Sequence, residues 1–129
     1  MLIYAVDSRD AVKRAKAIDL LARLPAPETI IPWQVACELA AVRYRMRHTG
    51  ALQGDPSPVI EQLRSCFPII LPQVATLARS QRLIGELGLS IWDAMLIAAC
   101  ADAGVARLFT EDLQSGQSIA GVEIINPFS

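Results

Sequence analysis

The sequence predicts an α/β domain with a mainly parallel sheet and helices on its faces, and three observations carry that reading. Short apolar or β-branched runs alternate with stretches of helical apolar spacing. Proline and glycine punctuate the junctions between them. The 129 residues, 53% of them hydrophobic, suffice to bury one ordinary core and form a single domain, residues 1–129. Strands separated by helices pair in parallel, because each helix carries the chain back across the sheet.

Residues 2–6 form a short apolar run ending at Asp7, which suits either a buried strand or one turn of buried helix. Across residues 10–24, Ala11, Ala15, Ile18 and Ala22 recur at helical spacing, and Pro25 and Pro27 end that helix. A β-branched run at 29–31 precedes Pro32 and a helix over 33–48; Gly50, Gly54, Pro56 and Pro58 then mark a loop. A helix over 59–66, a strand over 67–71 and a helix over 72–87 closed by Gly88 follow. Ser90 opens another helix that runs to Gly104, after which come a strand over 105–110, a polar loop through Gly116 and a last strand over 122–125.

Twelve Lys and Arg against thirteen Asp and Glu leave a net charge of -1, so no global positive field advertises nucleic-acid binding. Any such contact must be local. Cys37, Cys66 and Cys100 are odd in number, widely spaced and set among apolar neighbours, which predicts reduced core residues in a cytoplasmic protein. No apolar run reaches the roughly 18–20 residues of a membrane span, and residues 2–6 lack the features of a secretory leader. The absence of a glycine-rich phosphate loop argues against a dinucleotide-binding or P-loop protein.

A carboxylate on an apolar face is costly unless something neutralises it, so acids so placed are the informative ones. Asp93 shares a helical stripe with Leu96, Ile97 and Cys100, whereas Asp102 falls on the opposite side and reads as solvated. Glu38 lies beside Val35, Leu39 and Val42 at the edge of a core-facing stripe. Asp112, with Glu111 as its neighbour, follows a strand at the carboxyl end, where open α/β sheets place ligands. Each also has a plain reading: Ser90 to Asp93 fits a capping box, Glu38 a boundary residue, Glu111 and Asp112 a solvated turn. Taken together, Glu38, Asp93 and Asp112 are expected to converge with no basic residue to neutralise them. A hard divalent cation such as Mg²⁺ or Mn²⁺ then supplies the missing charge.

These residues sit in segments that resemble the PIN-domain ribonucleases, specifically the VapC-like toxins of bacterial toxin–antitoxin pairs. The carriers are L-I-Y-A-V-D at 2–7, I-P-W-Q-V-A-C-E-L at 31–39, L-S-I-W-D-A-M-L-I-A-A at 89–99, L-F-T-E-D-L-Q-S-G-Q at 108–117 and I-I-N-P-F at 124–128. The resemblance spans nearly the whole chain and implies a PIN-like three-layer fold with five parallel strands. It implies that Glu38, Asp93 and Asp112 match the second, third and fourth family acids, with Thr110 at a hydroxyl position beside the metal. Also implied are Mg²⁺ or Mn²⁺ as cofactor, endonucleolytic cleavage of RNA, a homodimer, and inhibition by a small antitoxin.

One departure concerns the start of the chain. In the family an Asp-x-Asn turn and a first strand precede the L-I-Y-A segment, so the first strand and first aspartate are expected to be missing here. Either the start lies downstream of the family's, or residues 2–6 take the central strand's place and deliver Asp7 as a fourth ligand. Arg43, Arg45, Arg47 and His48 form the densest basic patch; Arg43 and Arg47 are candidate RNA phosphate contacts, with helix-dipole compensation as the alternative. Trp33 and Trp92 begin helices and read as core residues. The function expected is metal-dependent RNA hydrolysis; the rival readings are a catalytically impaired PIN-like module that dimerises or binds an antitoxin, and an unrelated α/β scaffold.

Overall fold

The structure, a computed structural model, describes residues 11–24, 28–50, 55, 57–111 and 113–128. The expected strand at 2–6 and its Asp7 lie outside the described residues. Contacts divide the chain into two compact units, Leu2–Ile70 and Leu71–Ser129.

In the first unit, α1 (Ala11–Arg23) leads to β1 (Ile31–Pro32), α2 (Trp33–His48), α3 (Ser57–Cys66) and β2 (Ile69–Ile70). β1 and β2 pair in parallel with Ile31 opposite Ile69 and Pro32 opposite Ile70, and the Ile31 amide donates to the Pro68 carbonyl at 2.9 Å. Ile31, Ala36 and Leu39 form the core, joined by Leu21, Val35, Leu63, Phe67 and Ile69. On α2 the buried positions Ala36, Leu39, Arg43 and Met46 are spaced by three or four residues, as a single inward stripe requires.

The inward face of α1 differs from expectation. Ala17 is buried and Leu20, Leu21 and Leu24 are half-buried, whereas Ala11, Ala15, Ile18 and Ala22 are exposed. Both stripes have helical spacing; the one that includes three leucines removes more apolar area from water and wins. α3 starts two residues earlier than expected, because the Asp55 carboxylate accepts from both the Ser57 amide (3.0 Å) and the Ser57 hydroxyl (2.9 Å). Those two hydrogen bonds, Ser57 amide first, and more weakly the charge of Arg47, hold the Asp55 carboxyl below its ordinary range.

The second unit contains α4 (Val74–Leu87), α5 (Ile91–Asp102), β3 (Arg107–Phe109), β4 (Ser118–Ile119) and β5 (Val122–Ile125). β3 pairs in parallel with β5, with Leu108 opposite Ile124. β4, absent from the sequence reading, pairs antiparallel with β5, so the strands are mainly parallel as expected but not the all-parallel set of five that the resemblance implied. Two of the three pairings described are parallel, and the fold is α/β. The core is built from Leu83 on α4, Ala94, Ile97, Ala98 and Cys100 on α5, and Leu108, Ile119, Val122 and Ile124 on the strands. Each large side chain fully buried there contributes about 1.5–3 kcal/mol, well above the 0–1 kcal/mol of an exposed ion pair such as Arg64–Glu61.

α4 ends at Gly88, whose φ of 67° is the left-handed conformation that glycine adopts without a Cβ penalty. Asp102, expected to be solvated, is instead tied to α4. The buried Thr76 hydroxyl donates to Asp102 Oδ2 at 2.8 Å and accepts from the Gln73 amide at 3.1 Å, while Arg79 Nε donates to Asp102 Oδ1 at 2.6 Å. A short connection makes α4 and α5 antiparallel neighbours, so the last residue of one meets the first turns of the other. A helical wheel drawn for α5 alone carries no record of α4.

Two further expectations are corrected. Cys37 and Cys66 are exposed, and only Cys100 is buried. Apolar sequence neighbours do not bury a helical residue, because each step turns about 100° to another face. Trp33 and Trp92 are 48% and 67% exposed rather than core. Both stand in the first turn of their helices, where side chains lean toward the N-terminus and past the packed face.

Burial pushes the Cys100 thiol up to about 11 from 9.0. The unfolded chain therefore loses this proton first. The stabilisation is full below about pH 9 and is lost as pH rises toward 11, on the order of 2 kcal/mol. We expect Cys100→Ala to flatten stability against pH across that window, as read by denaturant unfolding. In the native protein at pH 8, a thiol reagent should label two cysteines, with the third reacting only after unfolding.

β4 and β5 are joined by Ala120 and Gly121, with φ of 52° and 79°, which is the two-residue turn with both central residues at positive φ. Gly121 suits it; Ala120 is strained there. Ala120→Asn is expected to raise stability by about 0.5–1 kcal/mol, measured as an upward shift of the urea midpoint at constant slope.

Candidate active site

Asp93 occupies the first turn of α5. The Ser90 hydroxyl caps this helix by accepting from the Asp93 amide at 3.1 Å. Only that half of the expected capping box forms: among the described residues, nothing donates to the Asp93 carboxylate. The side chain is half-buried, at the edge of an arc made by Cys100, Ile97, Ala94 and Ala98. A carboxylate beside that apolar face, with no donor among the described residues, is the arrangement that invites a cation.

Thr110 and Glu111 follow β3 in the same unit. Thr110 is buried, and its amide donates to the Ile125 carbonyl at 3.0 Å, extending the β3–β5 ladder by one residue. Glu111 is half-buried. The Val105 amide donates to the Cys100 carbonyl at 2.9 Å, which reverses the chain between α5 and β3. Asp112, the acid expected next in line, lies outside the described residues.

Glu38 lies on α2 in the other unit, exposed rather than bordering the core, with Gln34 Nε2 donating to its Oε1 at 3.2 Å. It sits about 100° from Leu39, just outside the buried stripe of α2. Of the basic group further along this helix, Arg45, Arg47 and His48 are exposed in the last turn. Arg43 is only 6% exposed, and its Nε has no hydrogen-bond partner among the described residues. Arg47 is therefore the better placed of the two candidate phosphate contacts.

No group of three or more His, Cys, Asp or Glu suited to a metal is assembled among the described residues. The donor chemistry of the candidate acids nevertheless fits a hard cation. Asp93 and Glu38 offer carboxylate oxygens, and neither is neutralised by an arginine or lysine among the described residues. Sequence reasoning missed the exposure of Trp92. The signal was present, because a residue one step before Asp93 points about 100° away from it and nearly opposite the Ala94–Ala98 side of the helix.

The cap and the acid separate cleanly. Ser90→Ala removes the acceptor for the Asp93 amide and is expected to cost about 1 kcal/mol. Asp93→Asn keeps that amide and should leave the thermal midpoint within a few degrees. Paired melts monitored by circular dichroism check both.

No curated protein matches the chain. Among the described residues, no helix is long and apolar enough to cross a membrane. The PIN domain family matches residues 1–116, a span that contains Glu38, Asp93, Thr110, Glu111 and Asp112. Proteins with this domain are generally nucleases and typically use divalent metals. A match over nine-tenths of the sequence, on a fold of the same α/β class, shows that this chain belongs to the PIN domain family.

Proposed function

We propose that the chain is a Mg²⁺- or Mn²⁺-dependent endoribonuclease of the toxin type, acting in the cytoplasm as a homodimer and restrained by a cognate antitoxin. The observation that carries the reading is the Asp93 carboxylate, half-buried beside an apolar helix face and, among the described residues, without a donor. Glu38, Asp93 and Asp112 would hold the cation, with Asp7 as a fourth ligand. When bound, the ion offsets the charge on the scissile phosphate and lowers the pKa of the attacking water.

The remaining work falls to the chain itself. The Ser90 cap fixes the first turn of α5 and so the position from which Asp93 projects. Burial of Thr110 holds its hydroxyl at the end of β3, with Glu111 next to it. Arg47, exposed at the end of α2, would take a backbone phosphate. The toxin assignment, the antitoxin and the dimer draw their support from the motifs at 31–39, 89–99 and 108–117.

Incubation of purified protein with unstructured RNA and Mn²⁺ should yield internal cleavage, abolished by chelation. Asp93→Asn should lower the rate by at least about 100-fold, since charge stabilisation by a bound ion is worth several kcal/mol. An Arg47→Ala variant should raise KM with little change in kcat. Equal cleavage by Asp93→Asn would sink the reading. Binding of an antitoxin with no cleavage under any metal would favour the impaired module instead.

A further inference from the structure

We propose that Trp92 is a stacking platform for an unpaired nucleobase of the RNA, set immediately beside the acid that would hold the metal. The inference rests on the nuclease reading for its substrate and goes beyond it by naming how that substrate is gripped.

Trp92 is the second residue of α5 and is 67% exposed. An indole ordinarily buries 150–250 Å² and is placed where that area counts. Here the packing of α5 is supplied by Ala94, Ile97, Ala98 and Cys100, and the indole contributes little to it. Ile91, next to it, is also exposed, so an apolar surface opens at the start of the helix where Asp93 stands. Asp93 and Trp92 are one residue apart, with their Cα atoms about 3.8 Å from each other, and the Ser90 cap holds both in the same turn.

Electrostatics makes such a grip necessary. With a net charge of -1 and carboxylates at the candidate site, the protein has no broad positive field with which to hold a phosphate backbone. Stacking on an aromatic face is independent of charge and contributes roughly 1–3 kcal/mol per base. It also selects unpaired RNA, because only a base free of its helix presents a face to the ring.

Trp33→Phe leaves Trp92 as the only tryptophan, so its fluorescence reports on the ring directly. Short unstructured RNA, added without divalent metal, should quench that fluorescence saturably, and the same RNA annealed to its complement should not. Trp92→Ala should weaken RNA affinity by about 5- to 150-fold, Trp92→Phe should recover most of it, and Trp92→Leu should not. Unchanged affinity in Trp92→Ala, equal recovery by leucine, or equal quenching by duplex would each overturn the proposal. Should Trp92→Ala fail to fold, the quenching and the phenylalanine variant still decide. Loss of the nuclease reading registers separately, as RNA that quenches Trp92 but is never cut when Mn²⁺ is added.

Discussion

The packing of α5 is the constraint on which the second unit depends. Its inner face carries Ala94, Ile97, Ala98 and Cys100, all essentially without solvent contact, and these meet Leu108, Val122 and Ile124 on the strands and Leu83 on α4. Two alanines in that face let the helix lie close to the sheet, and the isoleucine fills the space between them. Once this face is seated the helix cannot rotate. Asp93 is then held at the edge of the buried arc and Trp92 well outside it.

The polar contacts around α5 refine this placement. Ser90 satisfies an amide at one end, while at the other Asp102 receives the Thr76 hydroxyl and Arg79. Thr76 is fully buried, so its hydrogen bond to Asp102 matters more than the half-exposed ion pair; a buried hydroxyl left unsatisfied costs about 1–3 kcal/mol. The two aspartates of this helix therefore have opposite fates. Asp102 is consumed by its neighbours, whereas Asp93 has no charge partner among the described residues. That contrast separates a structural acid from one available for chemistry.

A near-neutral PIN-domain chain must handle a polyanion without a basic surface. Exposed Arg45 and Arg47 are the cationic resources near the end of α2, and Arg43 is withdrawn into the fold. On the proposed reading, local devices would replace a global field: a cation held by carboxylates, a few arginines, and an aromatic face that needs no charge.

Much was legible in the residues themselves. Helical spacing, the Ser90 cap, the Gly88 stop and the β-branched run before Pro32 were enough to name the helices and most strands, because these signals act over a turn or two of chain. The residues also named candidate acids, and Glu38, Asp93 and Asp112 lie within the span that the PIN domain family matches. What sequence could not decide was which of several faces turns inward: the buried side of α1, the exposure of Cys37, Cys66, Trp33 and Trp92, the burial of Arg43, and the partners of Asp102. Those depend on elements far apart in the chain competing to bury the most apolar area, a comparison made only when the tertiary structure assembles.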